Sequence, residues 1–307
     1  DTEWVSSAGK YVDKFENDIA EYTGSKHAVA CVNGTSALQV SLRLVGVEAG
    51  DEVIIPTLTF IAPVNAIFYN NAHPVFMDVD KFYNIDVVKT IDFIINKTVY
   101  KNGYSYNKVT NQRIKAIVPV HMWGNAVAFK DLIPVCNERN ISIVEDSSES
   151  LGTIYSENNF ADKHTGTIGN IGCLSFNGNK IMTTGGGGMI LTDNQKYAER
   201  AKYLITQAKD DPIRYVHHDI GYNFRLTNIQ AALGVAQLEN LPIFLERKRE
   251  IFHKYKNVID GIDGLKIANV PDYAVNNHWM IILKIEKEKY GKNREELMQF
   301  LDQNGIQ

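Results

Sequence analysis

The 307-residue chain reads as an α/β protein built on a doubly wound, parallel or mixed sheet. Short apolar runs of strand character alternate with helix-periodic segments of about 10 to 15 residues. The polar clusters "NGTS", "PTLTF", "VHMWG" and "EDSSES" all fall at the carboxyl ends of those runs, the edge at which such sheets take ligands. After residue 170 the pattern changes, and a large domain over 1–240 is expected to give way to a smaller α+β domain over 241–307.

In chain order, 9–22 is an amphipathic helix with Val12, Phe15, Ile19 and Tyr22 on one face. Strands follow at 27–32, 52–56, 74–79, 114–120 and 141–150, with helices opening at "NGTSALQVSLRLVG" and spanning 60–70 and 129–140. The Tyr/Asn-rich stretch 96–113 reads as a loop or hairpin excursion. "GCLSFNGNK" and "GGMILTD" form two strands around a glycine run, and 194–208 is a helix. Residues 226–262 are helical with an interruption near Pro242, and a strand at 278–286 and a helix at 293–305 complete the chain.

Composition narrows the function classes. A hydrophobic share of 44% and a charged share of 22% suit a soluble globular enzyme. A net charge of -4 lacks the basic excess of a nucleic-acid binder, so no nucleic-acid partner is expected. No apolar run approaches the roughly 20 residues of a membrane span. Three scattered cysteines without a CxxC pair, and a start lacking a signal peptide's basic and apolar regions, point to the reducing cytoplasm. The chain begins without methionine and stops at "FLDQNGIQ", and we read it as a piece of a longer protein.

The chemistry centres on "SFNGNKIMTTGGGGMI" at 175–190. Apolar residues of strand type flank the four glycines, which argues against a linker. No Gly-Lys-Ser/Thr follows them, which argues against a phosphate-binding P-loop. Close backbone approach remains, since glycine has no Cβ. Lys180, just upstream, is then either a partly buried amine able to form a Schiff base or a surface lysine in a hairpin. In "NGTSAL", Gly34, Thr35 and Ser36 lie where a strand becomes a helix. That position suits an anion such as phosphate, and equally a simple Thr or Ser N-cap. Asp146 ends a strand expected to be buried, so it requires a partner: a pyridinium nitrogen, a helix N-terminus or the solvent rim. A phosphate cup, an aromatic at Phe60, an acid at Asp146 and the later lysine together match the handles of pyridoxal phosphate.

Beyond these separate features, the chain resembles the DegT/StrS family of pyridoxal-phosphate-dependent nucleotide-sugar aminotransferases over nearly its whole length. The resemblance runs through "VNGTSALQVSL", "GDEVIIPTLTFIAPVNAI", "VHMWGN", "VEDSSESLG", "GTIGNIGCLSFNGNKIMTTGGGGMI" and "GYNFRLTNIQAALGVAQL". It implies the type I, aspartate-aminotransferase-like fold for the large domain. Its "SFNGNK…TTGGGG" form is similar to the LegC and PglE branch, which aminates C4 of UDP-4-keto-6-deoxy-N-acetylglucosamine for legionaminic acid or bacillosamine, with L-glutamate as donor. By resemblance, Lys180 carries the cofactor and moves the proton, and Asp146 pairs with the ring nitrogen. Phe60 stacks on the ring, while Gly34, Thr35, Ser36 and Ser175 hold the phosphate. Asn223 reaches the phosphate of a neighbouring subunit, which implies a homodimer with shared sites. Glu149 stands near the cofactor's phenolic oxygen, where many members carry glutamine.

Other residues have two readings each. His121 and Trp123 line the site or serve the core. "HHD" at 217–219 has a superficial metal-site pattern, although no metal is expected, and "NHWM" near 278 touches sugar or begins a strand. Two rival functions remain at this stage. Dehydratases of the same fold replace the lysine with histidine, which Lys180 argues against, and a cofactor-binding regulator would show no turnover.

Overall fold

In the computed structural model, which describes Ser6 and residues 9–211 and 213–306, the expected alternation folds into a nine-stranded mixed sheet with helices on both faces. The elements of the first half are α1 (Lys10–Thr23), β1 (His27–Cys31), α2 (Gly34–Leu44), β2 (Glu52–Pro56), α3 (Ile61–Tyr69), β3 (His73–Met77), α4 (Val87–Asn96), β4 (Thr98–Lys101), β5 (Tyr104–Asn107) and β6 (Arg113–Ile117). They continue with α5 (Leu132–Glu138), β7 (Ser142–Asp146), β8 (Ile154–Tyr155), β9 (Ile171–Ser175), β10 (Gly188–Thr192), α6 (Gln195–Ile205) and α7 (Asn228–Ile259). The last segment holds β11 (Leu265–Ile267), β12 (Ala274–Val275), β13 (Leu283–Ile285), α8 (Lys287–Tyr290) and α9 (Arg294–Gln303).

The main sheet runs β1-β10-β9-β7-β6-β2-β3. From β9 through β7, β6, β2 and β3 neighbouring strands are parallel, whereas β10 is antiparallel to both β1 and β9. Side-chain alternation along each strand explains the helices on both faces. On one face Val29, Cys31, Cys173 and Ile190 pack with Leu38 and Leu42 of α2 and Leu204 of α6. On the other, Ala28, Ala30, Leu174, Met189 and Leu191 pack with Phe15 and Ile19 of α1 and Val235 of α7. The excursion at 96–113 contains the β4–β5 hairpin, turned by Asn102 and Gly103 with left-handed φ values of 52° and 80°. β5 pairs with the start of β6.

Three local expectations change. The helix α4, with Thr90 and Ile94 buried and an Asp86 cap, had no counterpart in the sequence reading. Residues 278–282 are not a strand; only Leu283–Ile285 pairs, with β11. Pro242 does not interrupt the long helix. The proline costs the helix an N–H, but buried residues on both sides of it, Val235 and Leu241 before and Phe252 after, keep α7 seated. Its start is fixed by a capping box between Thr227 and Gln230. The helix runs across the 240/241 boundary expected between the two domains.

The glycine run is explained by backbone crowding at the carboxyl edge. Gly185 has φ 77° and Gly187 φ 152°, and both turn the loop back into β10. Gly188 lies against the turn that opens α2, where a Cβ would come within 2.5 Å of the Asn33 carbonyl carbon. The bulky neighbour required by the glycines is therefore the chain's own Asn33–Gly34 backbone. Gly188→Ala should destabilise the protein by about 1–3 kcal/mol through overpacking, measured by urea unfolding. A variant as stable as the parent would show that the two segments separate freely.

Candidate active site

At the carboxyl edge, β1, β7 and β9 end and β10 begins within one layer. The loops leaving them enclose a cavity of about 350 Å³. Its lining brings together seven of the sequence-predicted residues: Gly34, Thr35, Phe60, Asp146, Glu149, Ser175 and Lys180. Ser36 lies a step deeper. It is buried, and its N–H donates to Asn33 Oδ1 at 2.8 Å. Asn223 is exposed and lies outside this cavity, in a segment bridged to Thr206.

The start of α2 forms the polar end of the cavity. Its N-cap is Asn33, not Thr35 or Ser36, so both hydroxyl residues fall inside the first turn. The first N–H groups of a helix have no acceptor within it and face an anion favourably. Gly34 is needed here because a Cβ would meet Ser175 Cβ at 2.9 Å and Ser148 Oγ at 3.2 Å. Ser148 was not singled out from the sequence, although it stands within "EDSSES".

Asp146 is buried at the end of β7, and its Oδ1 accepts from the Ser148 N–H at 3.0 Å. Lys180 sits in the loop between β9 and β10, its N–H donating to Asn177 O at 3.0 Å. Its Nζ lies 3.6 Å from Glu149 Oε1 and 4.3 Å from the centre of the Trp279 ring. Glu149 Oε2 accepts from the Trp123 N–H at 2.7 Å, an alignment made possible by the left-handed φ of 55° at Trp123. Burial raises the pKa of Glu149, and the nearby Lys180 and the Trp123 N–H only partly oppose that.

The structure gives His121, the "HHD" cluster and Trp279 their places. His121 is a core residue. It is fully buried, its Nδ1 accepts from Val127 N–H at 3.1 Å, and its Nε2 therefore donates to Glu145 at 2.9 Å. In "HHD", Asp219 is engaged by Arg43 at 2.7 Å and by Arg200, and the His217 ring faces backbone carbonyls. In "NHWM", Trp279 does reach the cavity. Sequence reasoning missed Glu145, whose buried carboxylate accepts from Gly166, Ile168 and Gly169 N–H groups as well as from His121.

The lining fits a phosphate-bearing aromatic cofactor. Phe60 is 69% exposed on the cavity wall, an apolar face for a flat ring to cover. The buried Thr59 hydroxyl in the same wall has no partner among the described residues. The α2 start offers anion donors, and the lining carries one amine, Lys180, and two carboxylates, Asp146 and Glu149.

Comparison with known proteins places the chain in a family. The DegT/DnrJ/EryC1/StrS aminotransferase family model matches residues 1–307, and the chain belongs to that family. It is 35% identical over 99% of its length to EpsN of Bacillus subtilis (strain 168), whose name describes a pyridoxal phosphate-dependent aminotransferase, and spans 74% of that protein. It is 37% identical over 98% of its length to a GDP-perosamine synthase of Escherichia coli O157:H7, spanning 76% of it. A crystal structure of a family aminotransferase from Brucella abortus superposes with a TM-score of 0.86 at 27% identity, covering 99% of this chain and 75% of that one. The protein is thus a pyridoxal-phosphate-dependent aminotransferase. The branch expected from the sequence, the LegC and PglE type, is not singled out by these relatives.

Glu149 gives the site its most direct test. A side chain that accepts from Trp123 N–H on one oxygen and faces Lys180 Nζ with the other is close in shape to glutamine. Glu149→Gln should hold the rate of amino transfer to within about tenfold of the parent. Glu149→Ala should fall well below that and shift the pH dependence of the bound cofactor's visible absorbance. An alanine variant with the parental rate and spectrum would show that this side chain plays no part.

Proposed function

We propose that the protein moves an amino group from L-glutamate to C4 of a nucleotide-linked 4-keto-6-deoxy sugar. The observation that carries this reading is that one cavity at the carboxyl edge is lined by Lys180, Asp146 and the start of α2. When bound, pyridoxal phosphate supplies an electron-withdrawing ring that acidifies the carbon bearing the amino group. The chain supplies the rest. The first turn of α2, with Thr35 and Ser36, and Ser175 hold the phosphate. The Asp146 carboxylate keeps a proton on the ring nitrogen. Phe60 covers a ring face and keeps water away from it. Lys180 Nζ is an amine placed in the cavity where it would take the proton from one carbon and return it to another.

The nucleotide and sugar have two readings. The "SFNGNK…TTGGGG" form supports UDP-4-keto-6-deoxy-N-acetylglucosamine and a role in legionaminic acid or bacillosamine type surface glycans. The name of the Escherichia coli relative supports a GDP-linked sugar. The exposed position of Asn223, outside its own cavity, suits a homodimer in which it serves the neighbouring site. The expected compartment remains the cytoplasm, and no described helix is long and apolar enough to cross a membrane.

Purified protein with glutamate should aminate a nucleotide-linked 4-ketosugar, and competition between UDP- and GDP-linked substrates should show a clear kcat/KM preference for the UDP-linked N-acetyl sugar. A GDP preference would replace the UDP reading and keep the aminotransfer reading. Failure to aminate any nucleotide-linked ketosugar would contradict the proposal.

A further inference from the structure

The segment Asn276–Trp279 enters the site from nearly a hundred residues beyond Lys180 in sequence, and side-chain hydrogen bonds hold it there. Asn276 Nδ2 donates to Asn125 Oδ1 at 2.8 Å. Asn277 Nδ2 donates to the carbonyls of Glu149 and Leu151, each at 2.9 Å, and its N–H donates to Thr153 Oγ1 at 3.1 Å. The contact is close enough that Gly124 must lack a side chain: a Cβ there would lie 2.1 Å from Asn277 Oδ1. The turn then reverses at His278, which has a left-handed φ of 50° and stacks on Phe252 of α7 at 4.1 Å. Such strain in a non-glycine residue persists only where its surroundings impose it.

The outcome of this anchoring is the placement of one ring. Trp279 N–H donates to Asn277 Oδ1 at 3.0 Å, its carbonyl accepts from Lys248 Nζ at 3.0 Å, and its Nε1–H donates to Asn179 O at 2.8 Å, one residue before Lys180. With backbone and ring edge both fixed, the face of the indole is presented to Lys180 Nζ. The same Asn277 grips the main chain of Glu149, the other group beside that amine.

We propose that Trp279 is a positioning residue for Lys180, its indole face holding the Nζ group on one side of the cavity, and that Asn277 is the clamp that sets this ring and Glu149 together. The inference rests on Lys180 being the residue that binds the cofactor. A cation on an aromatic face is held without a directional hydrogen bond, so the amine can leave the face to react and settle back on it. Glu149 alone, at 3.6 Å, is too distant for a close hydrogen bond and leaves the amine free to swing.

The test follows the covalent loading of cofactor-free full chain with pyridoxal phosphate, read as growth of the visible band and of its circular dichroism. Trp279→Leu keeps an apolar side chain and loses the face; it should load about tenfold more slowly and show a weakened dichroic band per bound cofactor. Trp279→Phe should restore loading to within about threefold of the parent. Asn277→Ala should resemble Trp279→Leu, and the double variant should be no slower than either, because both remove one device. Thermal melts identify a variant that fails to fold, in which case the comparison of Trp279→Phe with Trp279→Leu decides. Parental loading and dichroism in Trp279→Leu would overturn the proposal, as would equal slowing in the leucine and phenylalanine variants. A parent protein that gains no lysine-bound band would instead remove the cofactor-binding role of Lys180, and this inference with it.

Discussion

The buried carboxylate of Glu145 is the constraint around which the carboxyl edge is arranged. It has no exposure to solvent, and a buried carboxylate without partners would be prohibitively costly. Its oxygens therefore gather His121 Nε2, the Gly166 N–H at 2.9 Å, the Ile168 N–H at 2.7 Å and the Gly169 N–H at 2.5 Å. These bonds tie the end of β7 to the loop before β9 and to the segment after β6. Strand alternation does the rest: with Glu145 directed into the core, its neighbour Asp146 is directed the other way, to the cavity wall.

From that fixed edge the remaining parts follow. The antiparallel insertion of β10 between β1 and β9 sets Gly188 opposite both Cys31 and Ser175. This forces the loop carrying Lys180 to arch over the same edge that ends in Asp146. The close packing of Gly188 on Asn33 locates the start of α2, and Gly34 lets Ser175 and Ser148 approach it. The site is thus assembled from strand ends distant in sequence, and each side chain is aimed by a backbone contact behind it.

Much of this could be read from the sequence. Strand and helix alternation indicated the sheet, and of the apolar face read on α1, Phe15 and Ile19 are fully buried while Val12 and Tyr22 are half-buried. The polar clusters at strand ends marked the cavity, because only there does a buried sheet tolerate Asp146, Thr35 and Lys180. What stayed hidden depends on contacts between distant segments. Glu145 sits in an apolar run and shows its role only once three N–H groups from 166–169 are seen around it. The Asn33 cap was obscured by the Thr and Ser after it, which compete for the same role in any local reading. Pro242 resembled a helix break because its local cost is plain, while the burial of Val235, Leu241 and Phe252 that outweighs it depends on the elements packed against α7. Trp279 owes its place to Asn125, Glu149 and Leu151, none of them near it in sequence.

The central claim is that Lys180 is the residue to which the cofactor attaches. Borohydride reduction of the pyridoxal-phosphate-loaded protein, followed by peptide mass spectrometry, should place a single stable phosphopyridoxyl group on the peptide containing Lys180, and Lys180→Ala should carry none. A label on a different lysine in the parent protein, or an unchanged yield of label in Lys180→Ala, would contradict the account.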